Sequence, residues 1–230
     1  METKPTIGIS SCLLGERVRY DGQDKRDQPL IGFVSDYFNV VPVCPEMGAG
    51  LGVPRPPVQL VGDPLQPRAL GVRCRELDVT EQLERYAREK ADGLGMVSGF
   101  IFKVRSPSCG PDTPLYDVNG VEIGRTQGIF YRVLTDRYPL LPVEDEEGLR
   151  QSVNTGRFLL KVLLYSYWLQ LANKSSGKRE FKALSESYAA VFSRWESDNP
   201  IQRDVPSIPF TAPSGLMSCN EIERRLRELN

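Results

Sequence analysis

Three of the five cysteines follow predicted β-strands, and together they are candidates for a metal site. Cys12, Cys44 and Cys109 each lie in a turn that contains Gly, Pro or Ser. Soft sulfur ligands select iron–sulfur clusters, Cu(I) or zinc. A structural zinc site needs a fourth Cys or His nearby with close CxxC spacing, and the chain contains no CxxC. The pattern therefore favours an iron–sulfur cluster, with three small buried core residues as the alternative.

The chain contains no histidine. This excludes a Ser-His-Asp triad, a Cys-His nucleophile and any zinc site with a histidine ligand. Proton transfers must therefore use carboxylates, lysines, tyrosines, hydroxyl groups or water.

Polar residues beside two of the cysteines are candidates for catalysis. Glu46 follows Cys44 in a turn, where a carboxylate can serve as general acid or base. The alternative is a surface glutamate that caps the next turn. Ser106 and Ser108 precede Cys109, and each can donate a hydrogen bond to a substrate or stabilise the turn.

Two further segments are candidates for substrate binding. Arg19, Tyr20 and Asp21 follow Cys12 closely and can hold a planar ligand by stacking and hydrogen bonds, or can form a polar turn. Arg55 lies in the stiff segment VPRPP, where the alternative is a solvated loop arginine.

Elements that would position these residues alternate in type along the first half of the chain. Predicted strands lie in TIGISSC, NVVPVCPE and VSGFIFKV, and predicted helices lie in DQPLIGFVSDYFN and DVTEQLERYAREKADGL. This alternation predicts an α/β fold with a mostly parallel, Rossmann-like sheet covered by helices. Because ligands bind at the carboxyl edge of such a sheet, we expect the three cysteines to converge there. Helix N-termini at that edge would favour thiolates over thiols.

The second part of the chain has a helical pattern. We predict two units, residues 1–143 and a smaller all-helical C-terminal unit at 144–230. The latter carries an amphipathic stripe between Phe181 and Trp195, and a Pro-rich connector near 199–215 precedes a short charged helix with a capping box of Ser218 and Glu221.

Composition indicates a soluble globular protein. Of its 230 residues, 40% are hydrophobic and 26% are charged, and the mean hydropathy is −0.33. The formal charge of −1 indicates no general electrostatic attraction for nucleic acid or anionic lipid, and we expect no DNA partner. The N-terminus has no secretory pattern and no apolar run is long enough to span a membrane, so we predict a cytoplasmic protein with reduced thiols. Cys74 and Cys219 are predicted to be bystanders.

Three motifs together resemble the thiouracil desulfidase (TudS) family. They are SSCLLGERVRYDG, VCPEMGAGLGVPRPP and KVRSPSCG followed by LYDVNG, in the family's order and spacing over roughly residues 5–143. The resemblance implies a [4Fe-4S] cluster bound by Cys12, Cys44 and Cys109, with one iron left open. It also implies Glu46 as the acidic catalytic residue and Ser106 as the catalytic serine, with Ser108 as the other placement.

The chain departs from the family pattern at two places. Val18 stands where many members have a cysteine, which leaves three ligands, and the glycine-rich segment at Gly124–Leu134 is altered, which bears on substrate fit. The segment LRQSVNTGRFLLKVLLYSYWLQL resembles the start of the helical (YbgA-like) domain fused to some relatives.

The activity implied by this resemblance is a redox-neutral, hydrolytic removal of sulfur from a small thiolated pyrimidine. The open iron would polarise the C–S bond, Glu46 would activate water or protonate the ring, and uracil or uridine would form with sulfide. One alternative is the same chemistry on 4-thiouridine in tRNA. Another is a non-catalytic iron–sulfur sensor.

Overall fold

Strands and helices alternate along residues 4–174, which are the residues that this computed structural model describes. The strands are β1 Thr6–Ser10, β2 Asn39–Val43, β3 Val58–Gly62, β4 Pro67–Gly71, β5 Phe100–Phe102, β6 Thr113–Tyr116, β7 Glu122–Thr126 and β8 Val143–Asp145. The α-helices are α1 Gln28–Tyr37, α2 Pro45–Gly48, α3 Thr80–Asp92, α4 Ile129–Arg137 and α5 Ser152–Lys174. Short 3₁₀ turns lie at Ser11–Leu14 and Gly148–Arg150.

A parallel sheet with the strand order β2-β1-β5-β8 forms the centre of the fold. Its middle strands are buried on both faces: Ile7, Ile9 and the whole of Phe100–Phe102 have no exposed surface. Such apolar runs are typical of parallel strands covered by helices. The predicted α/β class with a parallel sheet is therefore confirmed.

A second sheet with the order β4-β3-β6-β7 was not predicted from the sequence. It is mostly antiparallel, with one parallel pair between β3 and β6. Strands β3, β6 and β7 are partly exposed and interrupted by polar or glycine residues, so they lack the continuous apolar run that marks the middle strands of the central sheet. Strand β3 follows the segment of Cys44 and β6 follows the turn of Cys109, so this sheet links the two segments.

Helix α1 has the apolar face that its sequence period predicted. Leu30, Phe33 and Val34 are buried against the central sheet. The Asp27 carboxylate accepts a hydrogen bond from the Leu30 backbone N–H at 3.1 Å and caps the first turn.

Helix α5 packs on the same core as the central sheet. Phe158 lies edge-on to Phe38, with ring centroids 6.1 Å apart. A Cβ at Gly99 would lie 2.7 Å from Val162 Cγ2, so glycine permits this close contact between the helix and the sheet. The division of the chain near residue 143 stays a prediction.

Several sequence predictions lie outside the described residues. They are the amphipathic stripe between Phe181 and Trp195, the connector near 199–215, the capping box of Ser218 and Glu221, and Cys219. Among residues 4–174, no helix is both long enough and apolar enough to cross a bilayer.

Candidate functional site

A cavity of about 730 Å³ opens at the carboxyl edge of the central sheet, and Cys12, Cys44 and Cys109 all line it. Cys12 lies in the 3₁₀ turn after β1, and Cys44 occupies the position just before α2, directly after β2. Cys109 lies in the turn that follows β5. Strands β2, β1 and β5 are neighbours, so the parallel topology brings three thiols from distant parts of the sequence to one edge.

The three thiols have raised pKa values. Burial, followed by the nearby Cys44, raises the pKa of Cys12 to about 11. Burial also raises the pKa values of Cys44 and Cys109. The expectation that helix N-termini would favour thiolates was therefore wrong, because desolvation of the charged form outweighs the backbone hydrogen bonds at the start of the short helix α2. Without a bound cation the thiols are protonated at neutral pH.

The donor set of the cavity fits an iron–sulfur cluster, because its three thiols are soft sulfur ligands. No group of three Cys, Asp or Glu side chains within residues 4–174 is placed to hold one metal ion. The thiols nevertheless line one cavity, and Cys12 and Cys44 each influence the pKa of Cys109. Cysteine thiolates are the usual protein ligands of iron–sulfur clusters, so these three residues fit such a group.

Glu46 is held between a cation and a hydroxyl group. Arg55 Nε and Nη2 donate hydrogen bonds to Glu46 Oε2 at 2.8 and 2.5 Å. Ser108 Oγ donates to the other oxygen, Oε1, at 2.9 Å. The side chains of Arg55 and Glu46 are only 5% and 12% exposed, respectively. Both carboxylate oxygens of Glu46 therefore accept hydrogen bonds from protein donors.

The turn before Cys109 joins its two serines to this carboxylate. Ser106 Oγ lies 3.2 Å from Ser108 Oγ and accepts a hydrogen bond from the Cys109 backbone N–H at 3.2 Å. Ser108 is 1% exposed, whereas Ser106 is partly exposed. A hydrogen-bonded path therefore runs from Ser106 through Ser108 to Glu46.

Gly128 fixes the position of the turn that holds Ser106 and Ser108, and the sequence analysis did not predict this role. A Cβ at Gly128 would lie 2.7 Å from the carbonyl carbon of Ser108. The Phe130 N–H, in the first turn of α4, donates to the Ser108 carbonyl at 2.8 Å. The only sequence signal was a glycine directly before a helix, inside the segment that departs from the family pattern.

Lys103 and Glu146 form a second ion pair in the cavity that the sequence did not indicate. Lys103 Nζ contacts Glu146 Oε1, and the Val104 N–H donates to Glu146 Oε2 at 2.9 Å. The positive charge of Lys103 lowers the pKa of Cys12, and Glu146 raises it. Both residues directly follow parallel strands, β5 and β8, and this shared position was a usable signal.

The predicted substrate-binding residues occupy different places. Arg19 and Tyr20 line the cavity, and the Arg19 guanidinium lies 5.4 Å from the centroid of the Tyr20 ring. Asp21 is not part of the cavity lining, and it accepts hydrogen bonds from Arg19 at 3.3 and 3.2 Å. Arg55 lines the cavity with its guanidinium engaged by protein groups. Cys74 is exposed and lies outside the cavity lining.

Comparisons with known proteins show the family of this chain. A solved structure named as a [4Fe-4S]-dependent thiouracil desulfidase, TudS, is 31% identical with a TM-score of 0.52, and the match covers 64% of this chain and 93% of that one. The uncharacterized protein YbbK of Bacillus subtilis (strain 168) is 36% identical over 110 residues, which are 45% of this chain and 72% of the relative. A family model described as 2-thiouracil desulfurase matches residues 7–146, more than half of the chain. The chain therefore belongs to the 2-thiouracil desulfurase family.

Proposed function

We propose that the protein is a [4Fe-4S]-dependent desulfidase that removes sulfur from a thiolated pyrimidine. Family membership supports thiouracil desulfidase activity, and the related solved structure is named for its [4Fe-4S] dependence. The observation that carries the proposal is one cavity lined by three cysteines and by a partly buried Glu46 hydrogen-bonded to Ser108. A cluster site and a proton acceptor thus share one space.

In this proposal Cys12, Cys44 and Cys109 would hold the cluster as its three protein ligands. When bound, the cluster supplies a Lewis-acidic iron with high affinity for sulfur. The raised thiol pKa values mean that loading releases protons from the cysteines.

Glu46 acts as the general base. Its Oε1, which Arg55 does not contact, takes a proton from the water that attacks the carbon of the C–S bond. The water oxygen replaces the sulfur, which leaves as hydrogen sulfide with the two protons of the water, so the product is uracil or uridine and no electrons are exchanged. Ser106, the more exposed serine, orients the pyrimidine ring, and Ser108 connects it to Glu46.

The substrate proposed is a small molecule, 2- or 4-thiouracil or 4-thiouridine. Tyr20 and Arg19 at the cavity wall offer a stacking surface and hydrogen-bond donors to a planar ring. Asp21 acts indirectly in this assignment, since it holds Arg19.

Thiolated tRNA is the alternative substrate. Basic side chains along the cavity support it, namely Lys25, Arg26, Arg105 and Arg150. Two of them are paired with carboxylates, Arg105 with Glu147 and Arg150 with Asp27, which reduces their attraction for phosphate. The net charge of −1 also favours the small substrate.

An anaerobic reconstitution tests the cluster assignment. The Cys109→Ser variant is expected to lose the visible absorption of the cluster, while Cys74→Ser keeps it because Cys74 lies outside the cavity. Equal losses in both variants would contradict the ligand assignment.

Turnover separates the candidate functions. The reconstituted protein is incubated with 2-thiouracil, 4-thiouracil, 4-thiouridine and thiolated tRNA, and the loss of thiocarbonyl absorbance is followed. We expect turnover of the small substrates. Turnover of tRNA alone would favour the RNA substrate, and a stable cluster with no turnover would favour a sensor.

A further inference from the structure

Arg55 contacts three separate segments around the cavity. Its Nε and Nη2 donate to Glu46 Oε2, as described above, and its Nη2 also donates to the Val18 carbonyl at 2.9 Å. Its Nη1 donates to the Gly52 carbonyl at 2.7 Å and contacts Met47 Sδ at 3.7 Å. The guanidinium group therefore links the loop after Cys12 to the segment that carries Cys44 and Glu46.

These contacts leave Arg55 no donor for a substrate. A guanidinium group has five N–H bonds, and Nε, Nη1 and Nη2 make one, two and two contacts with protein groups. The side chain is 5% exposed. Direct substrate binding, which the sequence indicated for Arg55, would require breaking contacts that hold a buried charge.

The geometry of the contacts selects one carboxylate oxygen of Glu46. Arg55 directs two donors to Oε2, and Ser108 approaches Oε1 from the Cys109 turn. A partial rotation of the carboxylate about its last C–C bond would break both interactions, so the contacts fix the plane of the group. The hydrogen bond from Arg55 to the Val18 carbonyl fixes the position of the guanidinium group near Cys44, because the same carbonyl lies 3.9 Å from Cys44 Sγ.

We propose that Arg55 is a positioning residue that holds Glu46 with Oε1 directed at Ser108, in the orientation from which it takes a proton from the attacking water. This inference rests on the proposed function for its catalytic consequence, but the orientation it assigns is a property of the protein alone. A lysine at this position offers a single point charge and cannot reproduce the planar fork that reaches Glu46, Val18 and Gly52 together.

The kinetic test compares Arg55→Ala and Arg55→Lys with Arg68→Ala in the reconstituted full-length protein. Arg68 is the matched control, because it pairs with Asp78 by two similar hydrogen bonds but lies outside the cavity. We expect Arg55→Ala to lower kcat roughly 100-fold with little change in KM, since misplacement of a catalytic group costs about that factor. Arg55→Lys should be intermediate, and added guanidinium should partly restore Arg55→Ala without affecting Arg68→Ala. A raised KM with unchanged kcat would overturn the proposal in favour of substrate binding.

A structural readout keeps the test independent of turnover. Crystal structures of Arg55→Ala without and with guanidinium would show whether the Glu46 carboxylate leaves Ser108 and returns. An unchanged 2.9 Å contact between Glu46 and Ser108 in the variant would overturn the positioning role. Absence of turnover in the wild-type protein would instead count against the proposed function and leave this readout decisive for Arg55.

Discussion

Two carboxylates with little exposed surface lie in the same cavity, and they differ in what their second oxygen contacts. Glu46 and Glu146 each pair with a cation, and their side chains are 12% and 6% exposed. In Glu46 the second oxygen accepts from the Ser108 hydroxyl, whereas in Glu146 it accepts from the Val104 backbone N–H. A hydroxyl can pass a proton on, and an amide N–H does so poorly.

This difference indicates separate roles for two similar ion pairs. The Glu46 pair ends in a chain of hydroxyl groups that reaches the partly exposed Ser106, so it is arranged for proton transfer. The Glu146 pair ties the end of β8 to the end of β5, so it is arranged to hold strands together. Burial and charge alone do not distinguish a catalytic carboxylate from a structural one.

Of the variants that separate the two carboxylates, Glu46→Gln is expected to have the largest effect, and the effect is on turnover. The amide keeps the shape but cannot accept the proton, so we expect turnover to fall by roughly 10²–10⁴-fold, the scale of general acid–base catalysis. The visible spectrum of the cluster should be unchanged, as checked on the same samples. Near-normal turnover in this variant would contradict the catalytic role of Glu46 and leave it a structural residue.

Glu146→Gln should act on stability instead. The substitution leaves the Lys103 charge without its partner in a buried setting, and breaking such a pair costs about 3–5 kcal/mol. Urea unfolding of the metal-free protein measures this loss. Glu147→Gln is the control, because its pair with Arg105 is about half exposed and contributes about 0–1 kcal/mol. Similar losses in the two variants would contradict the structural role of Glu146.

The thiol beside Lys103 and Glu146 should make the metal-free protein sensitive to alkali. Because the pKa of Cys12 is raised from 9.0 to about 11, the fold favours the protonated thiol. Its contribution is complete below pH 9.0 and is lost as the pH rises to about 11, by about 3 kcal/mol in total. The free energy of unfolding of the metal-free protein should fall less steeply across this pH range for Cys12→Ser than for the wild-type protein. Parallel curves for the two proteins would show that burial of this thiol is not the cause.

The hydroxyl chain that distinguishes Glu46 is tested by a double-mutant cycle. Ser108→Ala removes a hydrogen bond to a charged group, worth about 1.5–3 kcal/mol, so kcat should fall by roughly 10- to 100-fold. Ser106→Ala should also lower kcat. If Ser106 acts through Ser108, the double variant should be less impaired than the product of the two single effects. Fully multiplicative effects on kcat would show that Ser106 acts independently of Ser108.

Much of the framework could be predicted from local patterns. The apolar runs of β1 and β2 and the helical period of α1 depend on neighbouring residues, and the strand-end positions of the cysteines follow from those elements. The absence of histidine restricted proton transfer to a few residue types, and Glu46 was found next to a cysteine by this reasoning.

What the sequence determined by itself was the class of fold, the candidate thiols and the limits on the chemistry, because each depends on composition or short-range spacing. Only the tertiary structure decided which side chains contact each other in the cavity. Glu46 meets Ser108 across 62 residues, and Lys103 meets Glu146 across 43. It also decided the sign of the thiol pKa shifts, because burial is produced by packing of the whole fold and outweighs the local helix effect that the sequence indicated.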